Sequence, residues 1–292
     1  MNKTLQLLLG RASCRAFTKR KVPAAVVKNI IEAGIHAPTG GNLQPYSIVK
    51  IEKRAAINRL AKLCGQRFMK TAPLHLVFCI DLYRLKRWAK MESAPFSADR
   101  ALRPFWIAFQ DTVICAQNMC TAADALGLGS VYIGPIFDRI PEIRKMCHLP
   151  KGVVPVVSLV VGYPSIFPAP RKRLGPKIVV HNEVYRDISD KELLAAFSEK
   201  YSGFRREIAV KDLETLHRVC RRVHGAAFAE KSVSRAKRLG LINRAQVYFG
   251  LNYQADRLLF ATPTQLKMLS KAGLSCFLSS AKVKQDIQRR VG

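Results

Sequence analysis

The sequence predicts a sheet covered by helices, of the α+β or α/β class, followed by a helical C-terminal segment. Segments of strand length alternate with segments of helical period as far as Tyr185, which is typical of a layered fold. Beyond Tyr185 the pattern is helical without clear strands. Hydrophobic residues make up 49% of the chain, enough for a substantial core. We therefore expect one domain over residues 1–185 and a helical C-terminal extension over residues 186–292.

The elements of the first domain follow from periodicity and from turn residues. Pro23 can begin a helix, because its missing N–H costs nothing in the first turn. The run Ala-Pro-Thr-Gly-Gly-Asn at 37–42 consists of turn formers and ends that helix. Strands are expected at 46–51, 74–80, 130–133 and 153–161, and further helices at 3–9, 55–63, 106–126 and 141–147.

Two regions have a different character. Residues 82–104 are basic, rich in aromatic side chains and without regular period, so we expect an irregular excursion or lid there. In the C-terminal extension, helical period predicts helices at 191–201, 210–223 and 263–272.

The chain is strongly basic, with 49 Lys and Arg against 20 Asp and Glu and a formal net charge of +29. Such a field attracts nucleic acids, anionic membranes and phosphorylated small molecules alike, and it also favours solubility. The excess is spread over both halves, and no recognised nucleic-acid module occurs, so no specific nucleic-acid partner is predicted. No apolar run reaches 18 residues, so no membrane span is predicted.

The cysteines and the missing motifs exclude several kinds of site. None of the eight cysteines forms a CxxC pair, and most lie in apolar stretches, which favours reduced, buried thiols in a cytoplasmic protein. His217 and His224 are seven apart on a predicted helix but have no third ligand, so no metal site is predicted. The sequence lacks GxGxxG, GxxxxGK[ST], GxSxG and HExxH, which leaves Rossmann, P-loop and common hydrolase chemistry without support.

Two separate clusters are suited to an anion. Arg11, Ser13 and Arg15 offer two guanidinium groups and a hydroxyl within five residues, and Arg171 and Arg173 follow a proline-rich turn. Guanidinium groups bind phosphate with charge-assisted, often bidentate hydrogen bonds. Taken singly, each cluster is more typical of a solvated surface.

Residues 8–187 resemble the nitroreductase family, and most closely its NADPH-dependent nitroreductase and flavin reductase branch. The most recognisable pieces are Arg-Ala-Ser-Cys-Arg at 11–15, Leu-Gly-Leu-Gly-Ser at 126–130 and Arg-Lys-Arg at 171–173. The matching segments occur in the family's order at 11–17, 37–45, 64–66, 72–73, 110–123, 126–134, 149–150, 161–164, 170–174 and 180–185.

The resemblance implies a mainly antiparallel central sheet flanked by helices, and a homodimer that binds FMN at the subunit interface. It implies an enzyme that transfers electrons from NADPH or NADH to a small acceptor, such as a nitroaromatic, a quinone or a flavin, by a two-step exchange. The flavin carries the chemistry, so no catalytic side chain is expected. The FMN-binding residues implied are Arg11, Ser13, Arg15, Pro38, Thr39, Gly40, Asn42, Gln66, Ile133, Gly134, Arg171 and Arg173.

The roles implied differ between these residues. The turn at 11–15 matches the holder of the FMN phosphate and ribityl chain, with Arg171 and Arg173 as the second pair of basic contacts. The loop at 38–42 matches the segment that reaches the flavin from the other subunit, and Gln66 matches an amide near the ring. Ile133 and Gly134 match the backbone that faces flavin N5. Ala12 departs from the His or Arg often found there, which removes one phosphate donor.

Two other functions stay open on the same fold. One is a dedicated flavoenzyme acting on a single metabolite, such as a dehalogenase or a dehydrogenase. The other is a basic, non-catalytic nucleic-acid-binding protein, for which the charge of +29 is the argument.

Overall fold

The computed structural model describes residues 1–277, and packing divides them into two compact units. The first unit comprises Met1–Pro170 together with the described residues from Thr264 on, and the second comprises Arg171–Pro263. The predicted division into domains at 1–185 and 186–292 stays a prediction, because compact packing does not by itself define a domain that folds alone.

The first unit is built on a four-stranded sheet with the order β1-β2-β4-β3. All three neighbouring pairs are antiparallel. The strands are β1 Tyr46–Ile51, β2 Leu74–Asp81, β3 Gly129–Ile133 and β4 Val153–Gly162. An antiparallel sheet with helices packed on it is an α+β fold, so the predicted class is confirmed.

Helices cover both faces of this sheet. The helices before β4 are α1 Lys3–Gly10, α2 Ala24–Ile35, α3 Arg54–Leu63, α4 Leu82–Met91, α5 Leu102–Ala125 and α6 Ile140–Met146. Side chains of α2 and α5 pack on one face, and side chains of α3 and α6 pack on the other.

The central strand β2 shows how the sequence sets these layers. All eight of its residues are buried, as a continuous apolar run predicts. Successive side chains point to opposite faces, so Leu76 and Phe78 enter the core under α2 and α5, whereas Val77 and Cys79 enter the core under α3 and α6.

The expectation of an irregular segment over residues 82–104 is wrong for residues 82–91 and 102–104, which are helical, whereas residues 92–101 contain no α-helix or strand. The side chain of Asp81 accepts a hydrogen bond from the backbone N–H of Arg84 at 2.9 Å and begins α4. Helix α5 begins at Leu102, earlier than predicted, and Pro104 lies in its first turn, where no intrahelical hydrogen bond is lost.

The second unit is helical in its described residues. Its elements are α7 Pro176–Val179, α8 Asp190–Lys200, α9 Val210–His224, α10 Ala226–Leu239, a π-helix at Gln246–Asn252 and the start of α11 Ala255–Lys271. The predicted start of a helix at Pro263 is wrong, because Pro263 lies inside α11. Helix α10 was not predicted, since its buried residues Ala229 and Ala236 are too small to give a clear apolar period.

All eight cysteines are free, and six of them are buried, which confirms the prediction of mostly buried thiols. Across residues 1–277, no helix is both long enough and apolar enough to cross a bilayer.

Candidate active site

The turn at 11–15 is fixed to the end of the sheet. The backbone N–H of Cys14 donates to the carbonyl oxygen of Ser130 on β3 at 2.9 Å, and Ser13 forms a parallel bridge with Ser130. A Cβ added at Gly129 would lie 2.7 Å from the Cβ of Cys14. Glycine at 129 is therefore what allows the turn to approach the strand so closely.

The guanidinium group of Arg11 is directed into the protein. Its Nη1 donates to the hydroxyl oxygen of Ser13 at 3.4 Å, and its Nη2 donates to Sγ of Cys120 at 3.2 Å. It also lies 6.0 Å from the ring centroid of Tyr132, at the limit of a cation–π contact. The Nε of Arg11 is 3.7 Å from Oδ2 of Asp124, which is an ion pair without a hydrogen bond.

The charges of this turn are only partly balanced. Burial raises the pKa of Asp124 to about 6, and the charge of Arg11 opposes that rise. The Nε of Arg11 is buried and has no hydrogen-bond partner among the described residues. Arg15 is exposed, so the turn carries two guanidinium groups against one carboxylate. It therefore keeps a net positive charge and unused donors, as an anion-binding turn requires.

The loop at 38–42 is anchored to α5. Pro38, Gly40 and Asn42 are exposed at the surface. The hydroxyl of Thr39 donates to Oδ2 of Asp111 at 2.6 Å, and the backbone N–H of Gly40 donates to the same oxygen at 3.0 Å. Within one chain, the described residues of this loop share no hydrogen bond with the turn at 11–15.

The backbone at the end of β3 has free space beside Gly134. Ile133 is buried and ends the strand, and Gly134 follows it at the surface. A Cβ added at Gly134 would meet no atom within 4 Å. Gln66 is half-buried, with its backbone N–H donating to the carbonyl oxygen of Ala61 at 3.1 Å.

The second arginine cluster belongs to the second compact unit. Arg171 and Arg173 are exposed, and the Nζ of Lys172 between them donates to the hydroxyl of Ser202 at 3.1 Å. Of the predicted site residues, hydrogen bonds thus join Arg11 to Ser13 and, within the loop at 38–42, Asn42 to Thr39. The convergence of the two arginine clusters stays a prediction.

Comparison with known proteins identifies the family. The model of the Nitroreductase family matches residues 8–163. The oxygen-insensitive NADPH nitroreductase of Salmonella typhimurium is 34% identical over 205 residues, which cover 70% of this chain and 83% of the relative. The FMN reductase (NADPH) of Bacillus subtilis is 28% identical over 211 residues, covering 71% of this chain and 85% of the relative.

This chain belongs to the nitroreductase family. Among solved structures, the hypothetical oxidoreductase YcnD from Bacillus subtilis has a TM-score of 0.73 with 25% identity and covers 94% of this chain and 98% of its own. The fold of this nitroreductase-family chain is thus confirmed beyond the segment that the family model matches.

The donors described above fit the cofactor that the resemblance implies. A phosphate monoester carries nearly two negative charges and accepts hydrogen bonds through three oxygens, which suits the guanidinium and hydroxyl donors of the turn. The open backbone at Gly134 suits the close approach of a flat ring, because no side chain fills that space.

Sequence reasoning missed two carboxylates of this site, Asp111 and Asp124 on α5. Each is almost buried and holds one of the predicted segments, the loop at 38–42 or the turn at 11–15. The available signal was an acidic residue inside a helix whose neighbours are mostly small or apolar. Such a carboxylate is buried with a partner more often than its residue type suggests.

Proposed function

We propose that this nitroreductase-family chain is an FMN-dependent oxidoreductase that takes electrons from NADPH or NADH and passes them to a small acceptor. Nitroaromatics, quinones and free flavins are the acceptor classes proposed. The observation that carries the proposal is the donor-rich turn at 11–15, hydrogen-bonded to the strand whose end leaves open backbone at Gly134. The relatives' names, an NADPH nitroreductase and an NADPH-dependent FMN reductase, support the same chemistry.

The phosphate of FMN is the anion proposed for the turn. Arg15 and Ser13 would bind it directly, and Arg11 would act beside them, through Ser13 as well as through its charge. Arg171 and Arg173 are proposed as the second pair of basic contacts. Each charge-assisted hydrogen bond contributes roughly 1.5–3 kcal/mol net, so several of them give tight binding.

The ring is proposed to lie against the backbone of Ile133 and Gly134, near Gln66. FMN bound there would supply the hydride-transfer chemistry that links the nicotinamide to the acceptor. The protein would orient the two reactants, and the backbone N–H groups of Ile133 and Gly134 would be available to stabilise negative charge on the ring. No side chain needs to act as a nucleophile.

A homodimer is proposed on the exposed apolar stripe of α5. Leu102, Trp106, Phe109 and Val113 recur at intervals of four, three and four residues, so they share one helix face. Their exposed fractions are 60%, 58%, 37% and 37%. An apolar stripe of this spacing is suited to pack against its counterpart on a second copy of the chain. In that dimer, the loop at 38–42 of one protomer is proposed to complete the flavin site of its partner.

The net charge bears on the proposed reductant, and the cysteines bear on the proposed compartment. The net charge of +29 favours capture of an anionic nicotinamide cofactor. Eight free cysteines support a reducing compartment, and we propose the cytoplasm. Neither the single-metabolite flavoenzyme nor the nucleic-acid-binding protein is favoured by the matched relatives.

The direct experiment is a spectrum of the purified full-length chain. We expect flavin absorption, bleaching by NADPH without oxygen, and return of the colour when menadione or nitrofurazone is added. A chain that neither copurifies with FMN nor binds added FMN contradicts the proposal. Binding to DNA that persists at physiological salt would instead favour the nucleic-acid alternative.

A further inference from the structure

The carboxylate of Asp111 lies directly beneath the loop at 38–42. Its Oδ2 accepts two hydrogen bonds, from the Thr39 hydroxyl at 2.6 Å and from the Gly40 backbone N–H at 3.0 Å. Asp111 is only 4% exposed. A buried carboxylate with two short hydrogen bonds fixes the position of both donors, because releasing either donor leaves the charge poorly compensated.

The loop that Asp111 holds has a strained backbone. Gly41, Asn42 and Gln44 have φ angles of 59°, 55° and 47°, in the left-handed region. Residues other than glycine rarely adopt this conformation, so at Asn42 and Gln44 it persists only where other contacts enforce it. The backbone N–H of Gln44 supplies one such contact, because it donates to the Thr39 hydroxyl at 3.0 Å.

The Thr39 hydroxyl proton is consequently committed to Asp111. The hydroxyl donates to Asp111 and accepts from Gln44, so it is not available as a donor to a flavin. What the loop presents at the surface is the exposed glycine backbone and the exposed Asn42 side chain. The role of Thr39 in the predicted site is therefore to join the loop to α5.

Helix α5 carries both the anchor and the proposed dimer surface. The two lie on different faces of the helix: Phe109 and Val113 are exposed, whereas Asp111, two residues from each, lies on the buried face. A Cβ added at Gly40 would lie 2.7 Å from Cγ2 of Ile107 on the same helix. The loop thus rests on the helix that is proposed to contact a second copy of the chain.

We infer that Asp111 is a positioning residue that acts in trans, because it holds the loop at 38–42 in the shape that completes the flavin site of the partner protomer. This inference rests on the proposed function, since it requires FMN binding and a dimer. It assigns to Asp111 and Thr39 an effect on a site in which neither side chain contacts the flavin.

The first test measures dissociation constants of FMN and riboflavin for the variants Asp111→Ala and Thr39→Val. We expect both ligands to bind about tenfold more weakly, because the loop is proposed to face the ring that both ligands share. Asp111→Asn retains an acceptor oxygen for both donors, so it should keep most of the affinity.

Thr112→Val is the matched control. Thr112 is the next residue on α5, fully buried, and its hydroxyl donates to the carbonyl oxygen of Ala108 at 2.6 Å. This variant loses a buried hydroxyl whose hydrogen bond stays within the same helix, so its flavin affinity should be that of the wild type. Equal affinity in Thr39→Val, Asp111→Ala and wild type would overturn the inference.

The second test uses mixed dimers in which one subunit carries Asp111→Ala and the other carries Arg15→Ala with Arg173→Ala. Differently tagged subunits are coexpressed, and the mixed dimer is purified through both tags. If Asp111 acts in trans, one site of the mixed dimer combines the intact turn with the intact loop, so one FMN per dimer binds with wild-type affinity. If Asp111 acts in cis, no site has wild-type affinity, and the inference fails.

The two proposals fail in different ways. Wild-type protein that binds no FMN contradicts the proposed function itself. If the wild type binds FMN but the loop variants keep its affinity, or the mixed dimer has no site of wild-type affinity, only the role of Asp111 is contradicted.

Discussion

The side chains of Arg11 and Asp124 form an ion pair at the end of α5, with Nε of the arginine 3.7 Å from Oδ2 of the aspartate. Their side chains are 20% and 14% exposed, so water screens the pair only weakly. The pair ties the turn proposed to bind phosphate to the helix behind it. It also directs Nη1 of Arg11 to the oxygen of Ser13, which leaves the Ser13 hydroxyl proton free to face an anion.

Asp124 should make stability depend on pH. Burial raises its pKa to about 6 from 3.8, so between these values the folded chain holds a proton that the unfolded chain has released. The contribution of Asp124 to the free energy of unfolding therefore falls by on the order of 3 kcal/mol as the pH rises from 4 to 6. The free energy of unfolding of Asp124→Asn, measured by urea titration at several pH values, should lack this component. A variant whose pH profile coincides with that of the wild type contradicts the assignment.

His75 should act with the opposite sign. It is fully buried on β2, its Nε2 donates to the carbonyl oxygen of Met69 at 3.0 Å, and burial lowers its pKa to about 4. Below pH 6.5 the unfolded chain binds a proton at His75, whereas the folded chain does not until the pH approaches 4. The free energy of unfolding therefore falls by on the order of 3 kcal/mol as the pH falls from 6.5 to 4. His75→Gln keeps a donor and should lose less stability on acidification. His36→Gln, at an exposed histidine, is the control and should follow the wild type.

Gly134→Ala should separate folding from flavin binding. An added Cβ meets no atom within 4 Å, so thermal stability should not change. FMN and riboflavin should nevertheless both bind about tenfold or more weakly, because the methyl group occupies space proposed for the ring. Gly10→Ala also places its Cβ in open space and should leave both stability and affinity unchanged. Unchanged flavin affinity in Gly134→Ala would contradict the proposed placement of the ring against Gly134.

Trp106→Glu should convert the proposed dimer into a monomer, because it buries a charge in the apolar stripe of α5. Light scattering after size-exclusion chromatography measures the mass directly. Trp88→Glu is the matched control, since Trp88 is 53% exposed compared with 58% for Trp106 but lies on α4. A dimeric Trp106→Glu protein, or a wild type that is already monomeric, counts against the interface.

Much of the fold was predictable because apolar runs and turn residues are local signals. The strand Tyr46–Ile51 has the predicted bounds, and Leu74–Asp81 differs by one residue. The wrong prediction for the residues that follow β2 has a physical cause. Asp81 ends the strand and also caps the next helix, a double role that periodicity does not reveal.

The site was predictable only where its residue types are distinctive. Arginine and serine in a short run indicate an anion, so the turn at 11–15 could be singled out, whereas Gly134 was implied only by the family resemblance. The partners Asp111 and Asp124 lie about 70 to 110 residues away from the segments they hold, and packing alone selects them. The inward direction of the Arg11 guanidinium follows from that packing and not from the motif.

Two arginine clusters are proposed to bind the phosphate of FMN, and the variant Arg15→Ala with Arg173→Ala tests this binding most directly. The measurement compares dissociation constants of FMN and riboflavin in this variant, in wild type and in the charge-matched control Arg59→Ala with Arg205→Ala, which also removes two exposed arginines. We expect FMN to bind at least about 100-fold more weakly in the first variant, from two lost charge-assisted hydrogen bonds, with riboflavin unaffected. Equal weakening of both ligands, or unchanged FMN affinity, would contradict the account.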